Sequence, residues 1–291
     1  LAAVLTHDPG MYPKRLIVDE ARQMGITIAP IDVNASDAAY RVEDHGNAIR
    51  IALSTVSGIS DGEVQSIIAG RPYIDLNDFV RRSGCSTPVT ESLILTGGFD
   101  SLHSDVNRRD LLLHFSDLQK SPSAAVSGAQ MNLGFEPPAL ISSGLPAMTA
   151  SESVKYEIDR LGIDMSRHMI EFYGEFLNAI GAVRSSDLLK QRSQSSVLVA
   201  GIKVAMQTPP VRSGKRVIFL TLDDGYGLSD STFFTDVQGE YANVLYSTSL
   251  LLVRGVTRRT GARGISIRAT GAWDLRAAYE SWSTKQSTLA I

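Results

Sequence analysis

The sequence predicts a multidomain α+β chain, helical first and β-rich last, from two contrasts. As far as Arg192 apolar residues recur mostly at helical spacing. From Ser196 they gather into five short runs rich in Val, Ile, Leu and Thr. Between two helical stretches, residues 119–150 are dominated by Ser, Pro, Gly and Ala, and Glu136 is their only acid, which reads as a linker.

Composition bounds the rest. The 291 residues are 43% hydrophobic and 20% charged, enough for a sizeable core and wrong for a disordered chain. The net charge of −3 means that any grip on a polyanion must rest on a local basic patch. A single cysteine, Cys85, excludes a disulfide framework and a Cys-based zinc site, and points to a reducing, cytoplasmic setting. No apolar run approaches the roughly 20 residues of a membrane span, so no membrane partner is expected. The start, LAAVLTHDPG, lacks the basic region of a signal peptide. Its first residue is Leu, which leads to the expectation of a segment from a longer protein.

Six regions follow in order. In 1–45, Leu16, Ile17, Ala21 and Met24 predict a helix after Pro13, ended by Gly25, and Ile26 to Val33 reads as a buried strand. In 46–118, short helices are carried by Val64, Ile67 and Ile68, by Leu76, Phe79 and Val80, and by Leu93 and Leu111–Leu113. Region 119–150 is the linker. Region 151–193 is a helical connector with stripes Val154, Ile158, Leu161 and Phe172, Phe176, Leu177, Ile180. Region 194–275 holds strands at Val197–Val204, Val217–Leu222, Thr232–Val237, Leu250–Val256 and Ile265–Ala269, with a short helix at Glu240–Tyr246. Three strands, a helix and two strands fit a five-stranded OB-fold barrel. Residues 276–291 read as a C-terminal tail.

Three places could hold a polyanion. The turn Val56-Ser57-Gly58-Ile59-Ser60-Asp61-Gly62 lies between helical stretches and resembles the turn of a helix-hairpin-helix. There, glycines let the backbone approach a DNA phosphate and first-turn N–H groups donate to it. Gly58, Ser60 and Gly62 are the candidate contacts; the plain alternative is a helix connection capped by Ser60 or Asp61. Gly97 and Gly98, before Phe99, are a second duplex-backbone candidate, or else a glycine C-cap with Phe99 in the core.

The barrel is the third. No acid occurs between Tyr241 and Trp273, whereas Arg254, Arg258, Arg259, Arg263 and Arg268 do. Arg212, Lys215 and Arg216 cluster at the first hairpin. Such cations neutralise phosphates while aromatic faces stack on bases. Phe219, Phe233 and Phe234 are candidate stackers; consecutive strand residues point to opposite faces, so one of the last two belongs to the core. Phe219 and Phe233 join Arg212, Lys215, Arg216, Arg254, Arg258, Arg259 and Arg268 as the single-strand site. The alternative is a solvated basic rim.

Other chemistry finds little support. Asp223-Asp224 before Gly225 reads as a turn. His7, His45, His103, His114 and His168 have no metal-ligand spacing, and no Gly-rich phosphate loop with Lys occurs. Neither a catalytic residue nor a metal site is assigned. In the linker, Gln130, Leu133 and Phe135 resemble a peptide that docks on bacterial sliding clamps, though Gly134 intervenes between the two apolar anchors; an ordinary apolar patch is the alternative.

These motifs together resemble the bacterial C-family DNA polymerases, DNA polymerase III alpha-like. Tyr12-Pro13, Glu20 to Ile26 and Pro30 to Ser36 look like the end of that family's fingers region. Val56 to Gly62, then Gly97 to Leu102 with Arg108-Arg109, look like its helix-hairpin-helix module. Val199-Ala200-Gly201, Gln207-Thr208-Pro209 and Phe219 to Asp224 look like its OB domain. Gly144 to Thr149 and Leu161 to His168 look like the error-prone, damage-induced branch. The resemblance implies a DNA-binding portion of a translesion polymerase. The palm, with the aspartates that hold magnesium, would precede Leu1, so no cofactor is expected in this chain. Implied partners are DNA, Y-family-like accessory translesion proteins and the sliding clamp. The competing expectations are a protein-interaction module that recruits the polymerase, and an RNA-binding barrel of the tRNA-recognition type.

Overall fold

The computed structural model describes residues 1–8, 10, 12–120, 140–209, 216–259, 261 and 264–289, the last four as backbone only. They form two compact units, Leu1–Arg167 and His168–Ile291. The dividing point falls inside the 151–193 segment that the sequence reading takes as one connector.

The first unit opens with α1 (Ala2–His7) and α2 (Lys14–Gln23). Helix α2 buries Val18 and Ala21 and stops at Gly25, whose φ of +78° a side chain would resist. A small sheet follows, made of β1 (Thr27–Ala29), β2 (Arg41–Glu43) and β3 (Ala48–Arg50) in the order β1-β3-β2. The expected strand Ile26–Val33 is thus only three residues long. Pro30 has no N–H to continue the ladder, and the Asp32 carboxylate bends the chain by accepting from Asn34 N at 2.7 Å and Ala35 N at 2.9 Å.

Next come α3 (Asp61–Ala69), α4 (Leu76–Ser83), α5 (Thr87–Leu95), α6 (Arg108–Lys120) and α7 (Ala150–Leu161). Their shared core includes Ile51, Leu53, Ile67, Leu93 and Ile94, with edge-to-face rings Tyr73–Phe79 and Phe79–Phe99 at centroid distances of 4.9 Å each. Leu161, Ile163 and Met165 bury into the same core, which is why the chain as far as Arg167 belongs to this unit.

The second unit contains α8 (Gly174–Ala179), α9 (Ser185–Leu188), β4 (Ser196–Gln207), β5 (Ile218–Asp223), β6 (Leu228–Phe233), α10 (Thr235–Ser247), β7 (Leu250–Arg259), β8 (Ile265–Asp274) and α11 (Leu275–Leu289). The strands close as β4-β5-β6-β8-β7, with β6 and β8 parallel and the other pairs antiparallel. This five-stranded mixed barrel is consistent with an OB-fold. Val199, Leu220, Leu222, Phe233, Leu251, Val253 and Ile267 fill it, joined by Leu245 of α10. On the outside, Ala200, Ile202, Leu250 and Leu252 are covered by Ile170, Phe176 and Leu275.

Three expectations change here. The third strand runs over Leu228–Phe233 and not Thr232–Val237. Its start, Ser229-Asp230-Ser231, is too polar to read as a strand, yet Ser229 and Ser231 are buried and Asp230 accepts from Thr221 Oγ1 at 2.7 Å across the ladder. The helix expected over Glu240–Tyr246 starts at Thr235, and the tail forms α11. Among the described residues no helix is long and apolar enough to cross a membrane.

Candidate nucleic-acid interface

In the first unit, Gly58 (φ +80°), Ser60 and Gly62 lie exposed on the turn that leads into α3. A Cβ at Gly58 would meet nothing within 4 Å, so another backbone has room to approach. Ser60 is the N-cap. Its Oγ accepts from Glu63 N at 3.3 Å, and Glu63 Oε2 accepts from Ser60 N at 2.9 Å, closing a capping box. Glu63 Oε1 also accepts from Ser86 N at 2.9 Å and Ser86 Oγ at 2.8 Å, just before α5. The Ser86 amide first, then the Ser60 amide and hydroxyl, hold the Glu63 carboxyl down at about 2. The positive end of α3 therefore already faces Asp61 and the ionised Glu63, and a phosphate arriving here meets both charges.

Gly97 and Gly98 are placed differently. Both are buried, and their N–H groups already donate to Ile94 O at 3.2 Å and Leu93 O at 2.7 Å. Gly97 takes φ +89°, and a Cβ on it would lie 2.3 Å from Arg108 Nη2. Arg108 in turn grips Asp100 (Nη2–Oδ2 2.6 Å) and donates to Leu95 O at 3.0 Å. The expectation of amide donation to a phosphate from these two glycines is corrected: they close α5, with Phe99 in the core.

In the second unit, strand register lines up Gln207, Phe219, Thr232, Arg268 and Val256 as successive cross-strand partners around the barrel. Phe219 is 46% exposed and Phe234 37%. Both line an open groove of about 600 Å³ with Gln207, Thr232, Arg258 and Ser266. The Arg268 guanidinium lies 5.4 Å from the centre of the Phe234 ring. Phe233, expected to stack on bases, is fully buried, so that role is corrected; its neighbour Phe234, where strand gives way to helix, is the exposed ring. Alternation along the strand signals that one of the pair turns inward, but not which.

The remaining predicted cations disperse. Arg216 is exposed beyond the groove's rim, its carbonyl accepting from Gln238 Nε2 at 2.7 Å. Arg259 donates through Nη2 to Leu189 O. Arg254 lies over the Trp273 ring, 5.4 Å from its centroid. Arg212, Lys215 and Arg263, and the clamp-like Gln130, Leu133 and Phe135, lie outside the described residues. Asp230 and Asp236 add negative charge to this side, and Asp236 pairs with Arg268 at 3.3 Å. Asp223 accepts from Gly225 N at 2.9 Å and Asp224 from Tyr226 N at 3.0 Å, which shapes the turn, and Asp224 also ties it to α9 by accepting from Ser185 N at 2.7 Å and Ser185 Oγ at 2.5 Å.

Residues 25–111 match the helix-hairpin-helix motif family. An error-prone DNA polymerase of Symbiobacterium thermophilum is 30% identical over 313 residues, covering 91% of this chain and 29% of that protein. The chain belongs to the bacterial C-family DNA polymerases. Other relatives sit on both sides of that family. An error-prone DNA polymerase of Bdellovibrio bacteriovorus is 27% identical over 272 residues (87% of this chain, 25% of the relative). A DNA polymerase III subunit alpha of Vibrio cholerae is 26% identical over 301 residues (97% of this chain, 26% of the relative). The chain thus spans between 25% and 29% of the length of these C-family polymerases. The mitochondrial single-stranded DNA binding protein of S. cerevisiae overlays 28% of the chain at 12% identity and a TM-score of 0.24, too little to carry a functional argument.

Proposed function

We propose that this chain is the DNA-gripping portion of an error-prone, translesion polymerase, acting in the cytoplasm. The barrel holds single-stranded template and the exposed turn before α3 lies against duplex backbone. The observation that carries the reading is the groove where Phe219 and Phe234 stand exposed beside Arg258, with Arg268 stacked on Phe234. Flat apolar rings suit bases of any sequence, and the arginines suit phosphates. The Asp224 carboxylate is engaged by Ser185 N and Oγ, and Asp223 by Gly225 N with His168 Nε2 at 3.7 Å. In this reading the aspartates that hold magnesium, where a primer 3′-hydroxyl attacks a nucleoside triphosphate, belong to the palm of the parent enzyme.

The test is anisotropy of labelled oligonucleotides with increasing salt. Sequence-tolerant binding that weakens steeply with salt is expected, because released counterions drive backbone binding. Failure to bind single strands at low salt would remove the barrel's assigned role.

A second reading, recruitment of the polymerase to accessory translesion proteins or the sliding clamp, is favoured by the acidic rim of the turn, Asp61 with Glu63. Pull-downs with and without nuclease separate the two. Partner capture that survives nuclease supports recruitment, and capture that nuclease abolishes supports DNA grip.

A further inference from the structure

We propose that Trp273 and Arg254 form a second stacking station for unpaired bases, on the path of a single strand whose first station is the Phe219–Phe234 groove. The inference rests on the single-strand reading of the barrel.

Trp273 is 38% exposed on the outer surface of β8. Its benzo ring lies against the backbone of Gly271, where a Cβ would come within 2.6 Å of it. Only glycine lets the indole settle there without displacement. The Arg254 guanidinium, from β7, lies 5.4 Å from the ring centroid, and the Tyr241 ring of α10 meets the indole edge-on at 5.9 Å. The indole is thus held in place by its neighbours and still offers surface to solvent. An ordered, partly exposed ring beside a cation suits a nucleobase, because little side-chain entropy remains to be lost and the base's own π-face needs no particular sequence.

The surroundings favour a polyanion. From Tyr241 to Trp273 the chain contains no Asp or Glu. The acids that flank this stretch are Glu240, beside Tyr241, and Asp274, whose carboxylate accepts from Ala277 N at 3.0 Å in the first turn of α11. The station is also continuous with the groove. On β8 the exposed residues are Arg268, Thr270 and Trp273, and Arg268 already stacks on Phe234. Those positions span about 17 Å of strand, short enough for one oligonucleotide to reach both ends.

The experiment uses the full chain carrying Trp282→Phe, which leaves Trp273 as the sole indole of the two in the sequence. It is titrated with labelled oligothymidylate about 15 nucleotides long, within the site sizes OB-folds use. Anisotropy reports binding and indole fluorescence reports stacking. The expected result is quenching that follows the anisotropy, with Trp273→Ala and, separately, Arg254→Ala weakening binding roughly fivefold or more. Arg254→Ala keeps the indole itself, with its Gly271 and Tyr241 contacts, so its effect does not depend on how the surface tolerates loss of the ring. Binding by anisotropy with unchanged indole fluorescence and unchanged affinity in both variants would overturn the second station and leave the barrel's single-strand role standing. Absence of any anisotropy change would overturn that underlying role itself. Quenching by a protein partner, with none by oligothymidylate, would also overturn the proposal and assign the indole to protein docking.

Discussion

The Arg268 guanidinium stacks on the Phe234 ring at 5.4 Å while pairing with Asp236 at 3.3 Å. Both members of that ion pair are well exposed, and exposed pairs contribute only about 0–1 kcal/mol. Arg268 can therefore exchange Asp236 for a phosphate at little cost. Asp236→Asn is expected to tighten single-strand binding by up to about fivefold at low salt, and Arg268→Glu to weaken it. Oligonucleotide anisotropy reads both, and looser binding by the Asn variant would count against a phosphate at this position.

Phe219, Phe233 and Phe234 should separate affinity from stability. Phe219→Ala and Phe234→Ala are expected to lower single-strand affinity, by about 1–3 kcal/mol for each base they stack, and to leave the melting curve nearly unchanged. Phe233→Ala, in the sealed barrel interior, is expected to cost about 3–5 kcal/mol of stability. Urea denaturation beside the binding assay distinguishes the two classes.

The cap on α3 gives a pH signature. Hydrogen bonds from Ser86 and Ser60 hold the Glu63 carboxyl near 2, below its ordinary 4.5. Between those values the unfolded chain binds more protons, so stability rises with pH there. This contribution is complete above about 4.5 and disappears as pH falls through about 2. Glu63→Gln should therefore be less stable than the parent at pH 7, with the gap closing on acidification. Ser60→Ala should cost about 1 kcal/mol. A gap that stays constant from neutral to acid pH would argue against the ionised carboxylate as its source.

Gly97 is expected to matter for folding before it matters for DNA. At φ +89°, with Arg108 Nη2 2.3 Å from an added Cβ, Gly97→Ala should destabilise by about 1–3 kcal/mol and loosen the Arg108–Asp100 pair. Gly58→Ala has open space but a comparably unfavourable φ of +80°, so it should show the backbone strain without the clash. Comparing denaturation of the two variants isolates the Arg108 contribution.

Legibility followed the strength of local patterns. The helix at Lys14–Gln23 and the strand at Ile218–Asp223 could be read because their apolar spacing is regular. Five strands with a helix after the third were likewise enough to anticipate a closed barrel. The start of β6 was not legible, because Ser229 and Ser231 become strand residues only through pairing with β5. The capping role of Gly97 and Gly98 was legible as the alternative, with Phe99 in the core; what the sequence did not show is Arg108 returning from the next helix to lie against Gly97 and donate to Leu95 O. At the candidate interface, alternation showed that one of Phe233 and Phe234 must be inside, but only the register of β6, which turns Ser229, Ser231 and Phe233 inward, decides which. The indole of Trp273 carried no signal at all, since its setting comes from Gly271, Arg254 and Tyr241 on three different elements.

Parallel pairing of β6 with β8 seals the barrel's seam. Among the described residues each strand of it has a partner on both sides, with β6 and β8 paired only at Ser231–Ile267 and Thr232–Arg268, so closure leaves a neighbouring molecule only a short, interrupted template on which to extend the sheet. The rims of the small sheet in the other unit, β1 and β2, are only three residues long and offer a poor one. Barrel and small sheet together thus give neighbouring molecules little edge on which to fuse into fibres.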